Sequence, residues 1–402
     1  MIKRIPVDAL KCGMYITDMN NDWIPHNKER RAGFIRKDET IERIARMGVE
    51  YVYVDTAKGI DSQDGEPAAD VEARTESMLQ EVINEAPSGT NSTSLDIELE
   101  RARRVHGEAQ SLVNTLLSDV KSGRAIDLEP FQNLAGELST SIFSNPNALS
   151  ALGRIREKDN YLLEHSVNLS VLISIFGKGL SFDSATLQEL ITGALLHDIG
   201  KVLTPDEILQ KPGKLTSGEF EIMKEHVTHS RNILMESEGV GTLSLLTAAQ
   251  HHERLDGTGY PDGLTGDEIS LYGRMAAIAD VYDAITADRV YHKGITPTQG
   301  LRKLIEWSGD HLDGDLVRQF IRFLGIYPVG STVLLESGKL AVVIETNPDD
   351  QRLPIVRTFY HTRFRQHITA ERLELSDRRV QDRIESAVDP AHYGFEIKKF
   401  LA

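Results

Sequence analysis

Six of the 13 histidines fall between residues 165 and 252: His165, His197, His226, His229, His251 and His252. One histidine beside an apolar helix face is most often a hydrogen-bonded core or surface residue, but a cluster of neutral imidazoles is a set of metal-seeking lone pairs. The sharpest element is Gly193-Ala194-Leu195-Leu196-His197-Asp198-Ile199-Gly200-Lys201, an apolar helix that ends on His-Asp and then meets a glycine and a lysine. The adjacent imidazole and carboxylate can bridge two ions, the apolar turns before them exclude water, and Gly200 permits a helix stop. A second block, His251-His252-Glu253-Arg254-Leu255-Asp256-Gly257-Thr258-Gly259-Tyr260-Pro261-Asp262-Gly263, sets two imidazoles before an acidic, glycine-rich loop. Gly257 and Gly259 there allow positive φ and close approach of backbone to a ligand, and Pro261 stiffens the loop. In a third block Asp280 lies among Ile278, Ala279 and Val281, while Asp283, one turn on, reads equally well as a solvated carboxylate.

These blocks need helices to carry them. Apolar residues recur at helical spacing over 96–122, 128–143, 148–176, 184–198, 217–237, 241–252, 270–287, 297–307 and 313–324, which predicts a mainly α protein built on a helical bundle. Residues 1–60 alternate apolar and polar positions around one helical stretch and read as a small α+β module. Residues 61–98 are rich in Ser, Gly, Pro, Asn and acids and read as an acidic flexible linker with a short helix at 70–84; connecting helices are expected over 99–147 and the bundle over 148–325. From 326 to 402, short β-branched runs such as Thr332-Val333-Leu334-Leu335 and Ala341-Val342-Val343-Ile344 predict a small β-rich cap.

With 45 basic and 61 acidic residues the chain carries −16, which argues against gripping a nucleic-acid polymer or an anionic membrane. That charge is localised. Residues 61–98 hold ten acids and one base, more than half of the excess, so a small anionic substrate elsewhere is not disfavoured. The lone Cys12 excludes a disulfide framework or a four-thiolate zinc site and suits a reducing compartment; with no long apolar run, a cytoplasmic protein is expected.

Four segments, Glu164-His165-Ser166, the His-Asp-x-Gly-Lys at 197–201, the His-His-Glu…Asp-Gly-x-Gly-Tyr-Pro at 251–261 and the Ala-Asp-x-Tyr-Asp-Ala at 279–284, together resemble the HD-GYP family of the HD phosphohydrolase superfamily over about residues 148–325. The N-terminal module, through Gly13-Met14-Tyr15 and Tyr51-Val52-Tyr53-Val54-Asp55, resembles a domain of uncharacterised role that often precedes it. The resemblance implies metal ligands at His165, His197, Asp198, His226, His251, His252 and Asp280, with Asp198 bridging two ions. It implies phosphate contacts at Lys201 and Arg289 and substrate contact through Gly259, Tyr260 and Pro261. A further basic contact falls to Lys293, because His292 takes the place where members commonly carry the basic residue. His229 matches no ligand position. Tyr161 stands where some members carry a third-ion carboxylate, so two ions are expected. Five imidazoles and two carboxylates suit Fe or Mn, with Ni, Co or Zn possible, and are too nitrogen-rich for Mg or Ca.

The implied activity is hydrolysis of cyclic di-GMP to linear pGpG, and on to GMP, by a hydroxide that two metal ions activate, with Asp198 and Lys201 in the catalytic roles. The alternatives are a cyclic GMP-AMP phosphodiesterase and a catalytically silent cyclic-dinucleotide sensor. Intact ligand positions favour catalysis. The N-terminal module or the connecting helices could serve a homodimer or a signalling partner.

Overall fold

The computed structural model describes residues 1–22, 32–84, 93–155, 161–211, 213, 215–288 and 294–401. The described residues form two compact units, Met1–Gln80 with Asp206–Glu221, and Glu81–Pro205 with Ile222–Ala402. Among them no helix is long and apolar enough to cross a membrane.

The first unit is built on an antiparallel sheet of β1 (Ile2–Pro6), β2 (Tyr15–Asp18), β3 (Gly33–Phe34), β4 (Tyr51–Asp55) and β5 (Glu66–Pro67), in the order β3-β2-β4-β1-β5. Alternation decides which face is inside: Ile5, Ile16, Val52 and Val54 are buried, and Ile5 pairs with Val52 across β1 and β4. Helix α1 (Asp38–Arg46) starts on Asp38 and Glu39 and ends on Arg43 and Arg46, an order that suits its dipole, and buries Ile44. The acidic stretch 61–98 carries the helix expected within it. It contains β5 and the 17-residue α2 (Ala68–Asn84), because Val71, Thr75, Leu79 and Val82 form a buried stripe at helical spacing and Glu66 pairs with Arg4 and Arg74.

The helical part of the second unit begins with α3 (Leu95–Lys121), which buries Ala102, Val105, Ala109, Val113 and Leu116 against α4 (Glu129–Ser144), α5 (Pro146–Leu152) and α6 (Tyr161–Gly179). The periodic run 148–176 is two helices here, parted after Leu152. Next in the chain come α7 (Ser184–Leu196), α8 (Asp206–Leu209), which falls in the first unit, α9 (Ser217–Glu236), which joins the second from Ile222 on, and then α10 (Thr242–Gln250), α11 (Leu271–Thr286), α12 (Pro297–Glu306) and α13 (Gly314–Leu324). Helices α6, α7, α10 and α11 pack in succession; α7 starts on an Asp183 cap, and α12 on a Thr296–Gln299 capping box.

The chain then forms β6 (Thr332–Leu335), β7 (Lys339–Glu345), β8 (Ile355–His361), β9 (Gln366–Glu374) and β10 (Ile384–Ala387), paired in the order β10-β6-β7-β8-β9, and ends in α14 (Lys398–Leu401). Val333, Leu335, Ala341, Val343, Val356 and Leu375 make its core. Strand β9 escapes the sequence pattern because it is an edge strand exposed on most positions, so no apolar alternation marks it.

Candidate metal centre

Five helical elements bring their polar residues to one buried point. His165 stands in the first turn of α6; His197 and Asp198 follow the last turn of α7; His226 sits mid-way along α9; His251 and His252 follow the last turn of α10; Asp280 lies in α11. All seven are buried, none more than 5% exposed. Their donor atoms form three overlapping groups, His226–His251–His252, His165–His197–Asp280 and His197–Asp198–His251.

Small residues allow this convergence. A Cβ on Gly193 of α7 would lie 2.6 Å from the Ser244 carbonyl of α10, so only glycine lets these two helices end side by side. Gly200 has a similar role rather than that of a helix stop. Its Cβ would lie 2.1 Å from the His226 carbonyl, and its amide donates to Ser230 Oγ at 2.9 Å, so the 3-10 turn Ile199–Leu203 is pressed onto α9. Gly259 likewise serves packing, since a Cβ there would come within 2.5 Å of the Arg254 amide and Glu253 Cα; of the loop's two expected positions, Gly257 adopts a positive φ, of 78°.

Backbone carbonyls set the tautomers. Nδ1 of His197, His226 and His251 lies 2.8, 2.6 and 2.7 Å from the carbonyl of Ala194, Met223 and Ala248 respectively. A carbonyl only accepts, so each Nδ1 carries a proton and each Nε2 is the ring nitrogen turned into the cage. Those of His226 and His251 face the Asp198 carboxylate, and that of His197 faces both Asp198 and the ring of His165. His165 Nε2 is 3.2 Å from His197 Nε2 and 3.0 Å from Asp280 Oδ1. Asp198 Oδ2 is 3.2 Å from His197 Nε2, and Asp198 Oδ1 is 3.3 and 3.8 Å from Nε2 of His226 and His251. Although close to one another, Asp198 Oδ1, His226 Nε2 and His251 Nε2 have no hydrogen-bond partner among the described residues.

Buried acceptors aimed at one another are costly unless a cation lies among them, so this donor set fits divalent metal ions. The two oxygens of Asp198 turn toward different histidines, as a carboxylate shared between two ions requires. Burial drives His226 down, His251 to about 3 and His252 well below the ordinary imidazole value, keeping all three as neutral donors. Burial opposes ionisation of Asp198, but His197 and Lys201 outweigh it and hold the carboxyl well below its ordinary value. For Asp280, burial is outweighed chiefly by His165, giving about 2.

Lys201 is 5% exposed and its Nζ donates to Asp198 Oδ2 at 2.5 Å, so the lysine expected at phosphate is anchored on the central carboxylate. Tyr260 packs its ring 4.7 Å from that of His252, and its amide donates to the His252 carbonyl at 3.2 Å; Pro261 follows through a cis peptide bond. His229 keeps apart from the cage and lies 3.9 Å from Glu225. Arg289 and Lys293 lie outside the described residues.

The structure decides one residue that the sequence left open and adds another to which it gave no role. Asp283 is fully buried, not solvated, and accepts from His165 Nδ1 at 2.7 Å and from Asn168 Nδ2. Its signal is the one-turn spacing from Asp280, matched by the one-turn spacing of Asn168 from His165. Glu253, which the sequence offers only as the residue after the paired histidines with no role attached, is buried and accepts two backbone amides of the loop.

Comparison with known proteins accords with this geometry. An HD domain model matches residues 140–316, and a domain of unknown function (DUF3391) matches residues 2–131. The chain is 36% identical over 385 residues to the cyclic di-GMP phosphodiesterase PA4108 of Pseudomonas aeruginosa, covering 96% of this chain and 91% of that protein. The chain belongs to the HD-GYP family. This HD-GYP chain is also 35% identical over 190 residues to the 3'3'-cGAMP-specific phosphodiesterase 3 of Vibrio cholerae, which spans 47% of this chain and 41% of that one. The solved structure of Bd1817, a HDG"Y"P protein from Bdellovibrio bacteriovorus, covers 80% of the chain at 20% identity with a TM-score of 0.47, a likeness too loose to carry an argument.

Proposed function

We propose that this HD-GYP chain is a metal-dependent phosphodiesterase that hydrolyses cyclic di-GMP to linear pGpG and then to GMP. The observation that carries the reading is the Asp198 carboxylate, whose two buried oxygens face separate histidines while Lys201 grips one of them. The full-length match to a protein named a cyclic di-GMP phosphodiesterase supports the choice of substrate.

His165, His197, Asp198, His226, His251, His252 and Asp280 would hold two divalent ions, most readily Fe or Mn. Such ions, when bound, supply Lewis-acid charge at the phosphate and bring a water molecule into ionising range near neutral pH. The reaction adds one water across a P–O3′ bond: a new P–O bond forms, the P–O3′ bond breaks, and the departing ribose oxygen takes a proton. Lys201, held against Asp198, adds a fixed positive charge where the phosphate's non-bridging oxygens gather charge. Tyr260, with Gly259 and Pro261, forms a wall beside His252 that excludes water from that side. Arg289 and Lys293 are assigned to phosphate on the strength of the family pattern alone. The cytoplasm is the proposed site of action, because cyclic dinucleotides are intracellular messengers.

The deciding experiment is anaerobic purification, metal analysis, and chromatography of products after incubation with cyclic di-GMP and 3'3'-cGAMP side by side. Formation of pGpG with Fe or Mn bound, and its loss in a His197→Ala/Asp198→Ala double variant, is the expected result. Faster turnover of cGAMP moves the assignment to that substrate. Cleavage of neither by metal-loaded protein makes the chain a binding module, and robust turnover by the metal-depleted double variant overturns the mechanism.

A further inference from the structure

The loop from Glu253 to Leu264 is tied down by side chains that lie outside the metal cage. The Glu253 carboxylate, 2% exposed, turns inward, with Oε1 accepting the Asp262 amide at 2.8 Å and Oε2 the Leu264 amide at 3.0 Å. A side chain at the start of the loop thus fastens its end. Asp256 supplies a second tie: Oδ1 accepts the amide and hydroxyl of Thr258 at 2.9 and 2.7 Å, and Oδ2 accepts Nδ1–H of His311 at 2.9 Å. His311 is buried in the turn between α12 and α13, and its carbonyl accepts the Leu255 amide at 3.2 Å. Arg231 of α9 adds a third, donating to Asp262 at 2.6 Å.

Fixing a residue's backbone costs conformational entropy. In a loop held this way the cost falls on folding, so a substrate meets a wall already in place. The metal ligands meet the loop only loosely, His252 through its carbonyl and its ring and His226 through an edge-on ring contact with Tyr260 at 6.3 Å, so the side-chain ties carry the fastening.

We infer that Glu253 and His311 are positioning residues that hold the Gly259-Tyr260-Pro261 wall beside the cage, and that they act on substrate binding without touching substrate. The identity of that substrate rests on the cyclic-dinucleotide reading. The test uses the metal-loaded full chain with Glu253→Gln, Glu253→Ala and His311→Asn, the last lying far in sequence from every candidate ligand. Three quantities are followed: hydrogen exchange of the 256–264 amides by mass spectrometry, metal content per chain, and kcat and KM for cyclic di-GMP.

Loss of a buried tie worth about 1.4 kcal/mol predicts roughly tenfold faster loop exchange and a roughly tenfold higher KM, with kcat changed less and metal content as in wild type. Glu253→Gln, which keeps one acceptor oxygen, should fall between wild type and Glu253→Ala. Unchanged exchange in His311→Asn overturns the inference, as does metal loss in step with activity, which would make these residues supports of the cage. If wild type cleaves neither cyclic dinucleotide, the proposed function fails while loop exchange and metal content still decide the positioning role.

Discussion

His165 Nδ1 lies 2.7 Å from Asp283 Oδ2, joining the first turn of α6 to the last turns of α11 across 118 residues of sequence. The carboxylate fixes the ring so that Nε2 looks into the cage, and Asn168 donates to its other oxygen. Burial alone would keep His165 neutral, but Asp280 and Asp283 outweigh it and raise it to about 9. Without metal, a proton on this ring answers the demand for positive charge among the surrounding acceptors.

Removing that partner should loosen the metal without dismantling the bundle. Asp283→Asn loses the negative charge behind His165 but keeps an amide oxygen, and an outer partner of this kind is typically worth about 10- to 100-fold in affinity. Titration of metal-free protein with Mn(II), followed by calorimetry, should show a weakening in that range while far-ultraviolet circular dichroism stays as in wild type.

Gly200 offers a prediction about packing. A methyl group at this position would collide with the His226 carbonyl and the Ser230 amide, both backbone atoms that cannot swing away. The turn carrying Asp198 and Lys201 must then lift off α9. Gly200→Ala should lower stability by about 1 to 3 kcal/mol, read as a fall in melting temperature, and reduce bound metal, whereas the same change at exposed Gly218, which has open space, should do neither.

A third expectation concerns pH. Burial opposes ionisation of Asp256, but hydrogen bonds from His311 and Thr258 outweigh it and lower its pKa to about 2. A carboxyl depressed in the folded state stabilises the fold above its unfolded value, near 3.9, and that stabilisation is lost as pH falls through the folded value. The difference in stability between wild type and Asp256→Asn, of order 1 to 3 kcal/mol from this term, should therefore be full at pH 5 and shrink toward pH 2. Denaturant melts of both proteins across that range measure it; a difference that grows on acidification would refute an ionised, hydrogen-bonded Asp256.

Much of the candidate site is legible in one dimension because its ligands sit at ends and turns that composition marks. His197-Asp198 closes an apolar helix, His251-His252 opens a glycine-rich loop, and Asp280 is conspicuous among apolar neighbours. Helix periodicity places α7, α9, α11 and α13 within about two residues, since each has one face to bury. The helix expected at 70–84 inside the acidic stretch is α2, where a stripe of Val71, Leu79 and Val82 outweighs the surrounding charge.

What the chain alone determined was which residue types could act and on which elements they ride. Only the tertiary structure decided their partners, because a hydrogen bond such as His165 to Asp283, or His311 to Asp256, joins residues 118 and 55 positions apart whose proximity no local pattern encodes. The same holds for Gly200 and Gly259. A glycine in the sequence announces freedom of φ, whereas their requirement here is the missing Cβ, which another segment's backbone makes necessary.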